Sequence, residues 1–274
     1  MRLGAPSCER LPPWPTPRQL LDAGFVIRVP DAQVVVGIIA AILGGGIFLP
    51  QCCKFLRRSS VQGASVAWVS LAMMATSWQL AGIIVDVSPT LYACKAVSPG
   101  ECFANVLSLI QLLLQAAGAT GVFLCYLWVW QRRECLALGG CRVAEVRRTA
   151  AGAAAAFVVA MAAPLTLVSL ALTLGPCADV VQAARTPLAA VATAMQSCHM
   201  LPQIALLCST RDHGSLSVFT VAALVLGSTA YMVVLAFERA SLVNLLPFCV
   251  VVAQGSVLLG SIVYFKRQVG SPQR

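Results

Sequence analysis

Phe48-Leu49-Pro50-Gln51 and Met200-Leu201-Pro202-Gln203 are two versions of one short text, 152 positions apart. The first closes the apolar run from Val34 to Leu56, and the second closes the run from Pro187 to Cys208. Each is followed by a polar turn holding arginine, glycine and serine. The turns read Arg57-Arg58-Ser59-Ser60-Val61-Gln62-Gly63-Ala64-Ser65 and Ser209-Thr210-Arg211-Asp212-His213-Gly214-Ser215-Leu216-Ser217. Each turn leads into another apolar run. A third dipeptide, Pro272-Gln273, lies in the polar tail and shares none of this setting. The shared setting is the signal, and it points to an internal repeat.

Proline inside an apolar helix has no N–H to donate and crowds the carbonyl one turn back. For Pro50 that carbonyl belongs to Gly46, the last of Gly44-Gly45-Gly46, so the helix is expected to bend there. Gln51 brings an amide that can satisfy a freed backbone group or face a polar cavity. Pro50, Gln51, Pro202 and Gln203 are therefore the candidate hinge residues.

Composition sets the solvent. Hydrophobic residues make up 59% and charged residues 11%, with a mean hydropathy of +0.84. Soluble domains carry about 25% charged residues, so a membrane protein is expected. The net charge of +9 does not indicate nucleic acid, because the cations fall in the gaps between apolar runs.

Seven runs are long enough to span a bilayer: 34–56, 65–85, 103–130, 151–174, 187–208, 216–237 and 243–265. With the N-terminus outside the cytosol, the cytosolic gaps receive 12 of the 19 Lys and Arg residues, Lys54, Arg57, Arg58, Arg211, Lys266 and Arg267 among them. The positive-inside bias thus puts the N-terminus in the lumen and the C-terminus in the cytosol.

A three-helix repeat that starts outside ends inside. A second copy in the same orientation needs one extra crossing, which the alanine-rich fourth run supplies. The expected fold is all-α and integral to the membrane: seven helices as two parallel three-helix repeats joined by a linker helix, 3+1+3. Its parts are an irregular tail 1–33, a first repeat 34–130 and a basic cytosolic loop 131–148. A linker helix 149–178, a second repeat 185–265 and a tail 266–274 follow. Within the tail, Arg18 to Val29 has the length of a short interfacial helix. The basic loop, with Gly139-Gly140, can hold acidic lipid headgroups, and positive-inside bias explains it without binding.

Polar residues inside spans mark candidate binding positions. Ser108, Gln111, Gln115 and Gly118 share one face of the third run, where they line a cavity or bond a neighbouring helix. His199 precedes Pro202 and is either a proton site, a substrate contact or a neutral histidine bonded to another helix. Gln254 of the seventh run is the counterpart of Gln115. Gln111, Gln115, His199 and Gln254 are the candidate substrate-binding residues. Trp68, near a span end, reads as an interface anchor, and Trp78 as a deeper packing residue. Cys94 and Cys102 share a lumenal loop and either pair or stay free. Cys52, Cys53 and Cys208 lie near the cytosolic face, where palmitoylation is chemically open. No cysteine and histidine have zinc-site spacing, so neither metal nor cofactor is expected.

Two Pro-Gln copies, each ending a span and followed by a serine–glycine–serine turn, resemble the PQ-loop repeat family over residues 34–265. That family includes cystinosin and other amino-acid carriers. SWEET sugar carriers and the KDEL receptor share its architecture. Cystinosin-like members have an aspartate after the second turn, whereas Val218 to Ser228 contains no acid. Several features are similar to the mannose-P-dolichol utilization branch: His213 to Ser217, Leu226-Gly227-Ser228, Gln115 with Tyr126, and Gln254-Gly255 where that branch has asparagine-glycine. The intact second Pro-Gln departs from the branch. The resemblance implies a factor supporting use of dolichol-linked sugars in the endoplasmic reticulum. The alternative is a carrier of an amino acid or sugar across an organelle membrane.

The implied partners are the lipid bilayer, a dolichol-linked sugar or small polar solute, and a second copy of the chain. Seven spans with an outside N-terminus also describe a G-protein-coupled receptor. However, the third run ends Trp130-Gln131-Arg132-Arg133, and the seventh lacks an Asn-Pro-x-x-Tyr sequence. A membrane scaffold without transport is the third class. No span end gathers a nucleophile, base and orienting group, so no enzyme is expected. The tail after Phe265 has no tyrosine or acidic dileucine sorting pattern, which favours the endoplasmic reticulum over the lysosome.

Overall fold

The computed structural model describes Cys8 and residues 11–26, 29–61, 64–137, 143–210, 216–237 and 242–270. Among these residues the regular structure is entirely helical. Chain order gives α1 Pro17–Asp22, α2 Asp31–Gly46, α3 Leu49–Arg58, α4 Val66–Ala93, α5 Pro99–Asn105 and α6 Leu107–Ala137. Then come α7 Val143–Leu174, α8 Asp179–Ala183, α9 Arg185–Cys198, α10 Leu201–Thr210, α11 Val218–Phe237 and α12 Leu242–Gly270.

Among the described residues five stretches are long and apolar enough to cross a membrane: Gly37–Arg58, Val66–Ala96, Leu107–Arg132, Ala151–Leu174 and Phe248–Lys266. Val218–Thr229 is a shorter apolar helix, and the fifth run is divided into α9 and α10.

The first and fifth runs are interrupted rather than merely bent. α2 stops at Gly46 and α3 restarts at Leu49; α9 stops at Cys198 and α10 restarts at Leu201. The two breaks, Ile47-Phe48 and His199-Met200, keep the 152-residue offset. Pro50 and Pro202 then sit in the first turn of a new helix, where a missing N–H costs nothing. The backbone at Ile47, Phe48 and His199 stays right-handed, so the two pieces remain near one axis.

The expected glycine hinge is revised accordingly. A Cβ on Gly44 would lie 2.9 Å from Gln115 Nε2, and one on Gly45 would lie 3.0 Å from Leu114 Cβ. These two glycines let α2 approach α6; a Cβ on Gly46 would meet nothing within 4 Å.

Packing places α6 against α2, α3 and α4, and α12 against α9, α10 and α11. Between these groups, α4 lies on α9, and α11 touches α2 and α3. α7 packs along α4, where the Trp78 indole donates to the Val159 carbonyl at 3.3 Å. The main core therefore draws on both groups, with Phe55, Trp68, Val69, Phe123, Tyr126, Leu207, Leu216, Val221, Leu258 and Ile262 buried together. Several of these keep the repeat offset: Phe55 with Leu207, Val69 with Val221, and Ala64 with Leu216. Trp68 is no interface anchor, since it is 5% exposed in this core and its indole nitrogen is buried without a partner.

Between Leu11 and Val26 the N-terminal tail is more ordered than expected. α1 is shorter than the Arg18–Val29 interval and is fixed by a capping box. Thr16 Oγ1 accepts from the Gln19 N–H at 3.3 Å, and Gln19 Oε1 accepts from the Thr16 N–H at 2.8 Å. Leu20 and Phe25 bury against Ala93 at the end of α4. The Cys8–Cys177 disulfide and the Cys177 N–H to Pro13 carbonyl bond tie the tail to the loop after α7. Gly175 in that loop has φ +103, and a Cβ there would strike the Pro13 carbonyl.

The expected loops also change. Cys94 and Cys102 are paired, and a capping box of Ser98 with Glu101 starts the separate helix α5. The basic interval 131–148 is helical through Ala137 and again from Val143; Gly139, Gly140 and Arg142 lie outside the described residues. So do Gln62, Gly63 and Arg211 to Ser215 of the polar turns.

Candidate functional site: the crossed Pro-Gln turns

The residue after each proline reaches across to the other group of helices. Gln51 lies in the first turn of α3, and its Oε1 accepts from the backbone N–H of Ser217 at 2.7 Å. Gln203 lies in the first turn of α10, and its Oε1 accepts from the backbone N–H of Ser65 at 2.8 Å. Both glutamines are 0% exposed. Donors and acceptors obey the same offset, 51 to 203 and 65 to 217.

Ser65 and Ser217 are themselves helix caps. Ser65 Oγ accepts from the Trp68 N–H at 3.4 Å, and Ser217 Oγ accepts from the Thr220 N–H at 3.2 Å. A cap residue's own N–H has no backbone carbonyl partner within its helix. Buried without an acceptor it would cost about 1–3 kcal/mol. The glutamine of the opposite Pro-Gln turn supplies that acceptor in both places. The alternative raised by the sequence, that Gln51 satisfies a backbone group, is the one observed, and the group belongs to the cap of α11.

The two connections differ in one respect. Lys54 Nζ donates to the Leu216 carbonyl. Leu216 C=O and Ser217 N–H are the two ends of a single peptide group. α3 thus grips that peptide at both ends, from residues one turn apart. The matching peptide, Ala64–Ser65, is held at its N–H by Gln203 and at its carbonyl by Tyr126 Oη of α6, at a long 3.5 Å. The position of Lys54 in the second copy is Leu206. The third helices are related by an offset of 139, which pairs Gln115 with Gln254 and Tyr126 with Phe265. Phe265 has no hydroxyl, and Lys54 takes the role that Tyr126 plays in the first copy.

The candidate binding residues are placed around the helix breaks. Gln254 Nε2 donates to the Ser197 carbonyl at 2.6 Å, while its Oε1 is buried without a partner. His199 is 4% exposed, and its Nδ1 lies 2.6 Å from the Gln196 carbonyl, so Nδ1 carries the proton. The structure thus brings Gln254 and His199 to one break. Gln115 is half-buried against Gly44 at the corresponding place on the first break. Gln111 is half-buried one turn away, and Ser108 is exposed. Among the described residues no group of three His, Cys, Asp or Glu side chains is arranged to hold a metal.

Sequence reasoning missed Ser65, Ser217, Lys54 and Tyr126 as members of this arrangement. Their signal was available in part, because Ser65 and Ser217 keep the glutamine offset.

The family description PQ loop repeat matches residues 33–92. No curated protein and no solved structure matches the chain. The matched interval runs from α2 through α3, the first polar turn and nearly all of α4. It contains Pro50, Gln51 and Ser65 but neither of the residues that they meet in the second copy. Residues 33–92 of this multi-pass helical chain are therefore similar to a PQ loop repeat.

Proposed function

We propose that the chain is a carrier for a small polar solute, an amino acid or a sugar, in an organelle membrane. Its helices work as two parallel three-helix repeats joined by α7, the 3+1+3 plan, and the repeats rock against each other. The crossed glutamine contacts carry this reading. Each contact lies between the two repeats at their polar-turn end, so separating that end breaks both. Each follows a helix break, where rotation of a short segment costs little. Gln115 at one break and Gln254 with His199 at the other are the groups offered to the solute. No step of bond chemistry is proposed.

The N-terminus is assigned to the lumen. Both disulfides, Cys8–Cys177 and Cys94–Cys102, lie toward the end opposite the polar turns, while Cys52, Cys53 and Cys208 beside those turns are free thiols. Oxidised pairs at one end and free thiols at the other fit a lumenal and a cytosolic face. The endoplasmic reticulum remains the proposed organelle.

A narrower reading, support for dolichol-linked sugar use, rests on Gln115, Tyr126 and Gln254-Gly255. Short matches alone support it, whereas the two crossed contacts between the helix groups support the carrier reading, which stands first. Flux of amino acids and sugars into liposomes containing the purified chain tests it. Solute uptake that falls at least tenfold with Gln254→Leu supports the carrier. Absence of flux, together with restored full-length lipid-linked oligosaccharides in cells lacking their own mannose-P-dolichol utilization protein, would replace it with the narrower reading. Uptake unchanged by both Pro50→Ala and Pro202→Ala would remove the hinges from the mechanism.

A further inference from the structure

Among the described residues four buried side-chain polar atoms have no hydrogen-bond partner: Trp68 Nε1, Ser77 Oγ, Thr220 Oγ1 and Gln254 Oε1. Two of them occupy the same position of the repeat. Trp68 and Thr220 are 152 positions apart, and each is the third residue of its helix, α4 or α11. The backbone N–H of each is capped by the serine of its own turn, Ser65 or Ser217. The N–H of each serine goes in turn to the crossing glutamine. Trp68 and Thr220 therefore stand one turn inside the two crossed contacts, and they are 5% and 4% exposed. α4 packs on α10 and α11 packs on α3, so both lie along the seam between the two groups of helices. Trp68 shares its core with Leu207 of α10.

Comparable side chains elsewhere in the chain do find partners. The Trp78 indole donates to the Val159 carbonyl. Thr76 and Thr229 return their hydroxyls to the carbonyl four residues back. For Thr220 that carbonyl belongs to Leu216, and Lys54 of α3 takes it. An indole N–H only donates, whereas a threonine hydroxyl donates and accepts. Each gives up its bond to water when the seam closes over it, and burial without a replacement opposes closure. The two glutamine contacts favour closure by an interaction of the same size. Bonds gained and bonds forgone then leave the closed and the separated turns close in free energy, as two states that must both be populated require.

We propose that Trp68 and Thr220 are a built-in opening bias of the crossed turns. Their N–H and hydroxyl are unmet while the seam is closed, and water satisfies both once the polar-turn end separates. The use of the device rests on the rocking proposed above. Its test reads the turns and not flux, so a chain that carries no solute and a chain without the bias give different results.

The test measures amide hydrogen exchange at Ser65 and Ser217 in the purified full chain in nanodiscs, since those N–H groups are released only when the glutamine contacts part. Thr220→Val keeps the shape and removes the hydroxyl. It is expected to slow exchange at both serines about tenfold, the factor that one unmet buried hydrogen bond is worth. Slowing at Ser65, in the opposite turn, shows that the seam opens as a unit. Replacing the Trp68 indole by benzothiophene, which has the same outline and no N–H, should do the same. Thr220→Ser keeps the hydroxyl and should slow neither, and Gln51→Leu, which removes an acceptor that favours closure, should speed both. Slowing at Ser217 alone, exchange unchanged or faster with Thr220→Val, or equal slowing by Thr220→Ser overturns the proposal.

Discussion

At the scale of single residues, the seam is a question of which backbone groups find partners. Gln51 and Gln203 each accept one N–H that no backbone carbonyl of its own helix accepts. Gln51→Leu and Gln203→Leu keep much of the side-chain volume and remove the acceptor, so each is expected to destabilise by about 1–3 kcal/mol. Gln51→Glu keeps an oxygen in place and should lose less than Gln51→Leu. Unfolding midpoints in one detergent provide the comparison, and equal loss with Glu and Leu would show that the acceptor does not matter. The two carbonyl contacts are unequal. Lys54→Met removes a charged donor from Leu216 and should cost about 1.5–3 kcal/mol. Tyr126→Phe gives up the 3.5 Å contact to Ala64, keeps the ring edge-on to Phe55, and should cost less than Lys54→Met. The glutamines were legible in the sequence because they repeat. Their partners were not, since nothing local to Gln51 indicates that its acceptor faces a turn 166 positions away.

At the scale of elements, the Pro-Gln segments show how far a one-dimensional reading of proline and glycine reaches. Proline's missing N–H identified both interruptions. The direction of the glycines' effect was not visible, because a glycine serves bending or close approach according to what lies beside it. Here α6 lies beside Gly44 and Gly45, and Phe48 fills the space over Gly118, where a Cβ would come within 2.6 Å of its ring. Gly45→Val is therefore expected to push α2 off Leu114 and destabilise by about 1–3 kcal/mol, as overpacking does. Gly46→Ala, with open space at its Cβ, should be neutral or slightly stabilising. If Gly46→Ala were the more damaging of the two in thermal unfolding, flexibility rather than contact would be the glycines' role. Trp68 teaches the same lesson. Its position near a helix start fits a membrane-interface tryptophan equally well, and only the core it shares with Phe55, Tyr126 and Leu207 buries it.

At the scale of the whole molecule, the two ends are chemically different, and that difference is what the proposed orientation rests on. The end opposite the polar turns carries the folded tail and the disulfide from Cys8 to Cys177, a pair 169 positions apart. No spacing rule connects a cysteine in a proline-rich tail with one after the fourth run; the tail must first fold over α4, with Trp14 edge-on to Tyr92 and the Phe25 carbonyl accepting from Thr90. Breaking the pair with Cys8→Ser should lower stability by about 2–4 kcal/mol. The same disulfide is informative about sidedness, since it persists only where thiols are oxidised. An N-glycosylation sequon placed among residues 1–7 is then expected to be glycosylated in cells, and one placed at 138–142, between α6 and α7, is not. The opposite pattern would put the tail in the cytosol, where the glutathione pool would reduce the Cys8–Cys177 bond. It would also place Lys54, Arg58 and Lys266 on the lumenal face, against the charge bias that the loops themselves display.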